Sequence, residues 1–162
     1  MAFNDIRLAD ENGGDVPTRV WQAEAAATAI LAGEPVKAKI AGSRYAIPLA
    51  DAEPVIGATT AVMGIAKSAS TQTATADGIV EVFEPKEGVL YSARAKTAAL
   101  ADTQAEIDAL VGKRVVLDFT AGSYTVDTAA ADAATNGILI VGGDFTHSTI
   151  FFFIRTSATI LN

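Results

Sequence analysis

GIVEVFEPKEGVLYSARAK, residues 78–96, is the stretch that decides the fold class. Its two halves are rich in β-branched and aromatic residues, and the turn-forming run Pro85-Lys86-Glu87-Gly88 separates them. Short apolar runs on either side of such a loop are typical of paired strands. The stretch therefore predicts a β-hairpin, which is the clearest one in the chain.

Further strands are predicted on both sides of this hairpin. Before it, VKAKI (36–40) and AVMGIA (61–66) have strand character, whereas Pro48 and Pro54 restrict the segment between them to short edge strands and loops. After it, four β-rich runs recur at intervals of about ten to fifteen residues: KRVVLDF, SYTVD, GILIV and TIFFFIR. This spacing predicts a mainly β fold, a small antiparallel barrel or sandwich.

Helix is predicted at one place and is an alternative at another. Thr103 and Glu106 have the spacing of a capping box, and Gly112 provides a stop, so residues 103–111 are predicted to form one short helix. Its apolar stripe consists of Ile107, Leu110 and Val111. In residues 19–31 the alanine content favours a helix, but alternate apolar positions favour a strand, which we prefer.

The chain divides into a polar N-terminal segment and a β-rich body. Residues 1–18 show no apolar period and contain Gly13, Gly14 and Pro17, so we predict a flexible arm. Residues 19–162 form the body, either as one unit or as two packed subregions, 19–100 and 113–162, joined by the helix. The N-terminal sequence lacks the pattern of a secretory signal, so synthesis in a cytoplasm is expected.

Composition excludes several classes of protein. The net charge of −7 repels nucleic-acid backbones, so no nucleic-acid partner is predicted. The absence of Cys and the single His exclude disulfide frameworks, zinc fingers and multi-His metal centres, and no metal or cofactor is predicted. The longest run of bulky apolar residues, Ile150–Ile154, is far too short to cross a bilayer, so no membrane span is predicted.

One arrangement of catalytic residue types is present. His147 lies three residues after Asp144 and next to Ser148, but residues so close on one loop rarely supply both a base and its orienting partner. The chain also lacks the G-x-S-x-G turn that presents a nucleophile. We therefore predict that the protein is not an enzyme. The other acids near the later strands lack EF-hand spacing and are predicted to be surface groups: Asp118, Asp127 and Asp132.

Apolar residues near the two ends of the chain are candidates for contact with a partner. Three adjacent phenylalanines on one strand must point to both faces, so one face is covered either by the same domain or by a neighbouring subunit. Trp21 is a candidate anchor for the core or for an interface. The candidate interface residues are Phe3, Ile6, Leu8, Val16, Trp21, Phe151, Phe152 and Phe153.

The order of these parts resembles the head decoration, or capsid cement, proteins of tailed bacteriophages, of the lambda type. The resemblance covers about residues 33–96, from a GEPV-type turn through AVMGIAKSASTQTATADGIVEVFEPKEGVLYSARAK. In that family a G-I-A-type strand precedes a Ser/Thr-rich segment and strands broken by a short Gly-containing turn. The matching segments here are Gly64-Ile65-Ala66, residues 68–75, residues 79–83 and residues 88–91.

The resemblance implies a small barrel or β-tulip-like fold with an N-terminal arm that orders on a capsid. It implies a homotrimer on the outer surface of a bacteriophage capsid, with the major capsid protein as its partner. The function implied is to cement the shell against the pressure of the packaged DNA.

Two alternatives stay open. One is a carbohydrate-binding or tail-fibre-type β module, which needs exposed aromatic residues from among Tyr45, Tyr91 and Tyr124. The other is a small hydrolase centred on His147.

Overall fold

The computed structural model describes residues 6–10, 16–39, 45–56, 61–86 and 88–159. Most of the regular structure in these residues is β-strand, with one α-helix and two short 3-10 turns. The strands are β1 (Arg7–Asp10), β2 (Thr18–Ala23), β3 (Pro35–Ala38), β4 (Ala46–Pro48), β5 (Val62–Ala66), β6 (Gly78–Phe83), β7 (Leu90–Arg94), β8 (Arg114–Val115), β9 (Leu117–Thr120), β10 (Ser123–Val126), β11 (Ile138–Asp144) and β12 (Thr149–Ile154). Helix α1 is Gln104–Leu110, and the 3-10 turns are Ala98–Leu100 and Thr156–Ala158.

The strands form two open five-stranded sheets and a separate hairpin. The first sheet has the order β1-β7-β12-β11-β8, and the second has the order β2-β6-β5-β3-β4. Strands β9 and β10 pair as the hairpin, and neighbouring strands in all three sheets are antiparallel. The mainly β, antiparallel prediction is confirmed. Within the described residues each five-stranded sheet ends at an edge strand, so the body is sandwich-like rather than a closed barrel.

The hairpin predicted over residues 78–96 is wrong, although both of its strands exist. β6 lies in the second sheet between β2 and β5, and β7 lies in the first sheet between β1 and β12. Both hydrogen-bonding edges of each strand are therefore occupied by other partners, and the chain crosses between the sheets after β6. A turn signal indicates that the chain changes direction, but it does not determine which strands pair.

Glu84 anchors this crossing. Its side chain is buried, and its carboxylate lies 2.7 Å from Arg19 Nε and 3.2 Å from Lys86 Nζ. Its backbone N–H donates to the carbonyl oxygen of Pro17, and its own carbonyl oxygen accepts from the hydroxyl of buried Tyr91. The crossing is thus tied both to the start of β2 and to β7.

Two hydrophobic clusters lie on opposite faces of the second sheet. The main core lies between the sheets, and its largest fully buried side chains include Tyr91, Tyr124, Phe152, Ile138, Ile140 and Ile150. The small core lies on the other face and consists of Ile30, Val36, Ala38, Ala46, Met63, Ala66, Val80 and Val82. The two cores therefore differ in the size of their side chains.

Strand β5 contributes to both cores, and a bulge places Val62 and Ile65, three residues apart, on the same face. The register against β3 shifts between Val62 and Gly64, so Val62 and Ile65 belong to the main core while Met63 belongs to the small one. Gly64 has a φ of +145°, and a Cβ there would lie 2.1 Å from the carbonyl oxygen of Phe83. Only glycine fits this position.

The helix prediction is confirmed, except that Val111 of the predicted apolar stripe is the C-cap residue and is 49% exposed. Thr103 is the N-cap, its hydroxyl accepts from the backbone N–H of Glu106, and the Glu106 carboxylate accepts from the N–H of Thr103, which completes the capping box. Ile107 and Leu110 are buried in the main core, and the helix packs against β11.

The predicted N-terminal arm is wrong for the part that the structure describes. Residues 7–10 form β1 at the edge of the first sheet, and Ile6 is buried in the main core because its apolar side chain gains by leaving water. Residues 1–5 and 11–15 lie outside the described residues. In residues 19–31, strand structure ends at Ala23 and no helix follows.

The predicted division into subregions 19–100 and 113–162, with the helix as the boundary, does not match the division between the two sheets. β7 (Leu90–Arg94) belongs to the first sheet together with β8, β11 and β12, so the change of sheet falls between residues 83 and 90. The physical reason is that β7 pairs with the distant strands β1 and β12 rather than with its neighbour in the chain.

Candidate binding surfaces

Several predicted interface residues are committed to the main core. Ile6 and Phe152 are fully buried there, and Leu8 and Val16 pack against it. A partner could reach Ile6 or Phe152 only if the core opened, so those two predictions are wrong. Phe3 lies outside the described residues.

Phe151 and Phe153 lie on the opposite face of β12 from Phe152 and are half-buried. In the antiparallel register Phe151 is opposite Ser92 of β7, and Phe153 is opposite Leu139 of β11. The expectation that the adjacent phenylalanines point to both faces is confirmed. This outer face of the first sheet remains a candidate surface.

Trp21 packs against the small core and is half-buried. The guanidinium carbon of Arg19 lies 5.5 Å from the centre of its ring, at the distance of a cation–π contact. The buried Nε1 has no hydrogen-bond partner among the described residues. Trp21 therefore acts here mainly as an anchor of the core, which is one of the two roles predicted for it.

The largest apolar exposure on a strand lies on β2 and β6. Val20 and Ile79 are 56% and 51% exposed. They lie on the same face as Phe83, which pairs with Ile65 of the main core. The second sheet therefore extends beyond the part that the first sheet covers. We call the exposed part, with Val20 and Ile79 at its centre, the overhang.

The overhang was not among the surfaces predicted from the sequence. A usable signal was present, because Ile79, Val80, Val82 and Phe83 place apolar residues on both faces of β6. Val80 and Val82 fill the small core, so the other face required a second cover.

A polar groove of about 820 Å³ lies where β7 and β10 diverge. We call it the arginine groove. The polar residues that line it come from β1, β7, β10, the β11–β12 loop and the start of β12: Arg7, Ser92, Arg94, Ser123, Thr125, His147 and Thr149. Ala93, Ala95 and Ala98 supply small apolar surface. No carboxylate of the described residues lines it.

His147 is held beside the groove by its own loop. Its Nδ1 lies 2.6 Å from Asp144 Oδ2, and Asp144 Oδ1 accepts from the backbone N–H of Thr146. The hydrogen bond from His147 is the main cause that lowers the pKa of Asp144. The carbonyl oxygen of Ser148 accepts from the N–H of Ala95, which fixes the loop to the end of β7.

This pair lacks the third member of a hydrolytic triad in the described residues. No hydroxyl group there is hydrogen-bonded to the imidazole, whose side chain is 67% exposed. A general base needs its nucleophile within hydrogen-bond reach, about 2.6–3.2 Å. The geometry is that of an oriented histidine on an open loop.

The other predicted surface acids are engaged with cations, and Asp118 is buried rather than at the surface, so that prediction is wrong for it. Lys96 Nζ lies 2.6 Å from Asp118 Oδ1 and 3.3 Å from Asp127 Oδ2. Arg114 makes a two-pronged contact with Asp132 at 2.8 and 3.0 Å, and this contact lowers the pKa of Asp132 to about 2. The described residues contain no group of three or more side chains suited to hold a metal ion.

The tyrosines do not form a sugar-stacking platform. Tyr91 and Tyr124 are each 1% exposed and lie in the main core. Tyr45 is half-buried and donates its hydroxyl hydrogen to Asp77. Tyr91 and Tyr124 therefore do not meet the requirement of the carbohydrate-binding alternative for exposed aromatic residues, because each ring lies in the main core.

No protein-family model matches this chain, and no curated protein matches it significantly. None of the helices in the described residues has the length and apolar character needed to cross a bilayer. Any function must therefore be argued from the surfaces described above.

Proposed function

We propose that the protein is a structural protein of a virion, which binds the outer surface of a bacteriophage capsid and stabilises the shell without catalysing a reaction. Its partners are the major capsid protein and further copies of itself in a homotrimer. The observation that carries the proposal is the overhang, a sheet face with two exposed apolar side chains, Val20 and Ile79, that adjoins the main core where Phe83 pairs with Ile65.

The overhang has the chemistry of a protein contact. Exposed side chains of this kind rarely cluster on a stable sheet face unless another surface covers them. Glu81 lies directly opposite Val20 on the same face, 3.1 Å from Lys67 Nζ, and its carboxylate accepts from the hydroxyl of Thr18. Apolar side chains interspersed with polar groups are common at non-obligate protein interfaces.

Contact through a face is favoured over strand addition. The edge strand β4 has three residues and ends in Pro48, and β8 has two residues. Short strands and proline at an edge disfavour pairing with another chain. β1 pairs with β7 along one edge only, but it has four residues and its register shifts between Leu8 and Asp10, an irregularity that disfavours regular pairing at its outer edge.

The resemblance of residues 33–96 to decoration proteins gives the proposal its specific partner. Strands β5 and β6, which carry the G-I-A-type and Ile79–Phe83 segments, are the ones that border or form the overhang. The hydrolase alternative has less support, because the described structure offers His147 an orienting acid and no bonded nucleophile.

The test is co-sedimentation with empty, expanded capsids of the phage whose genome encodes the chain. The full chain should bind, and a double variant, Val20→Asp with Ile79→Asp, should bind at least about tenfold more weakly. Val111→Asp is the matched control, because Val111 is 49% exposed but lies at the end of α1, away from the overhang. Failure of the full chain to bind, or equal loss in the control, would refute the proposal.

The trimer is tested separately by sedimentation equilibrium of the purified chain. The expected mass is three times the chain mass of 16.6 kDa. The homotrimer is refuted if the chain has the mass of a monomer at micromolar concentration and is also bound to the capsid as a monomer. The capsid contact is tested independently by the co-sedimentation experiment.

A further inference from the structure

The arginine groove carries a function that capsid binding does not explain. It lies beside β7, β10 and the β11–β12 loop, whereas the overhang lies on β2 and β6 of the other sheet. Its volume of about 820 Å³ is within the range of small-molecule sites.

The charge of the groove is opposite to that of the chain. The protein has a net charge of −7, yet the exposed Arg94 lines the groove and no carboxylate of the described residues does. Most lysines and arginines elsewhere in the described part form ion pairs, as Arg19 and Arg114 do. Arg94, by contrast, has no carboxylate of the described residues within ion-pair distance. The groove therefore presents positive charge that an anion would neutralise.

The backbone places Arg94 among hydroxyl groups. Arg94 is opposite Thr149 in the antiparallel register, and Ser92 lies two residues away on the same face of β7. Thr125 of β10 also lines the groove, and its buried hydroxyl oxygen has no hydrogen-bond partner among the described residues. A buried hydroxyl without a partner is unfavourable, and a ligand that carries hydroxyl groups would supply one.

His147 adds an oriented ring at the edge of the groove. Nδ1 is engaged by Asp144, so Nε2 is the ring nitrogen that can bond to a ligand. The hydrogen bond between the Ser148 carbonyl and β7 keeps the loop in place.

We propose that the arginine groove binds an acidic saccharide, with its carboxylate or phosphate group at Arg94 and its hydroxyl groups at Ser92, Thr125 and Thr149. Neutral sugars are commonly held by stacking on an exposed aromatic ring, and the only aromatic ring that lines the groove, Tyr124, is buried. Charge and hydroxyl pairing therefore carry recognition here. This inference does not depend on the proposed capsid function.

The test is a titration of the full chain with each probe. Binding is measured by calorimetry and by changes in the NMR signals of the Arg94 side chain and the His147 ring. The probes are glucuronate, glucose 6-phosphate, glucose and inorganic phosphate. Glucuronate, glucose 6-phosphate or both should bind at least about tenfold more tightly than glucose. Binding by only one of the two would identify the carboxylate or the phosphate as the preferred anion.

Arg94→Gln should weaken binding of the acidic sugar at least about tenfold. Lys113→Gln is the matched control, because it removes the same charge just before β8, at the opposite edge of the first sheet. The overhang variant should bind the sugar as the unaltered chain does, so the two proposals can fail independently. Arg94 is exposed, and unchanged circular dichroism would show that its variant is folded.

Several results would overturn the proposal. These are no binding of either acidic sugar at millimolar concentration, glucose binding as tightly as glucuronate and glucose 6-phosphate, or inorganic phosphate binding as tightly as the acidic sugars. Equal affinities of Arg94→Gln and the unaltered chain would also overturn it, since the anion would then lie elsewhere.

Discussion

The main core and the small core use the same second sheet but different side chains. The main core brings large residues of the first sheet and the hairpin, such as Tyr91, Tyr124 and Phe152, together with Val62 and Ile65 of the second sheet. The small core contains alanines, valines and one methionine, and Ile30 from the segment after β2 completes it. Small side chains allow an irregular segment to lie close to a sheet face. The two faces of the second sheet are therefore covered differently, one by the main core and the other by an irregular segment that contains Ile30.

The largest difference between the two cores should appear at Phe152. Phe152→Ala removes a fully buried ring from the middle of the main core and should cost about 3–5 kcal/mol of unfolding free energy. Urea unfolding followed by circular dichroism measures this cost. A loss below about 1 kcal/mol would show that the main core does not depend on this ring.

In the small core the corresponding change should cost less. Val80→Ala removes two buried carbon atoms and should cost about 2 kcal/mol by urea unfolding. Its neighbour Ile79 provides the control, because it lies on the same strand but faces the overhang. Ile79→Thr should change the unfolding free energy by no more than about 0.5 kcal/mol. Equal costs for the two variants would contradict the assignment of the two faces of β6.

A substitution at the crossing between the sheets should reduce the unfolding free energy less than a substitution in either core. Glu84→Gln keeps the shape of the side chain but removes the charge that pairs with Arg19 and Lys86. Because the two cations remain partly exposed and can be hydrated, the expected cost is about 1.5 kcal/mol. Glu81→Gln, at a more exposed ion pair with Lys67, should cost less than about 0.5 kcal/mol. If the two variants are equally stable, Glu84 does not anchor the crossing.

The smallest effect is expected from Asp132, which tethers the segment before β11 to β8. Contact with Arg114 lowers its pKa from 3.8 to about 2, so the folded state holds the carboxylate charged more strongly than the unfolded state does. The stabilisation is therefore fully present above pH 3.8 and is lost as the pH falls toward 2.

Melting temperatures measured from pH 2 to pH 6 test this contribution. Asp132→Asn should melt below the unaltered chain at pH 6, and the difference should vanish near pH 2. A difference that does not depend on pH would assign the effect to packing rather than to charge.

Local features of the fold could be predicted, and long-range ones could not. The capping box of α1 and the β propensity of β5, β6 and β7 are set by adjacent residues, so sequence patterns identified them. The pairing of β7 with β1 and β12 is set by side chains distant in the chain. For that reason the sequence favoured the nearest partner, β6, and predicted a hairpin that does not form.

For the candidate surfaces, too, local features could be predicted from the sequence and long-range ones could not. Alternation along β12 correctly placed Phe152 and its two neighbours on opposite faces, but the sequence could not indicate which face is buried. The overhang depends on how far one sheet extends past the other. The arginine groove collects residues from β1, β7, β10 and a loop, so no contiguous motif marks it.

The chain crosses between the sheets twice, from β1 to β2 and from β6 to β7, and the positions of these crossings have a topological consequence. Asp10 of β1 is opposite Leu90 of β7, and the N–H of Glu84 donates to Pro17 just before β2. The chain thus leaves the first sheet and re-enters it at one corner, and all five strands of the second sheet form an insert between two paired neighbours. An insert with adjacent ends can change in length or sequence without altering the strand order of its host. The two halves of this molecule can therefore diversify separately, provided that the side chains at their shared boundary stay matched.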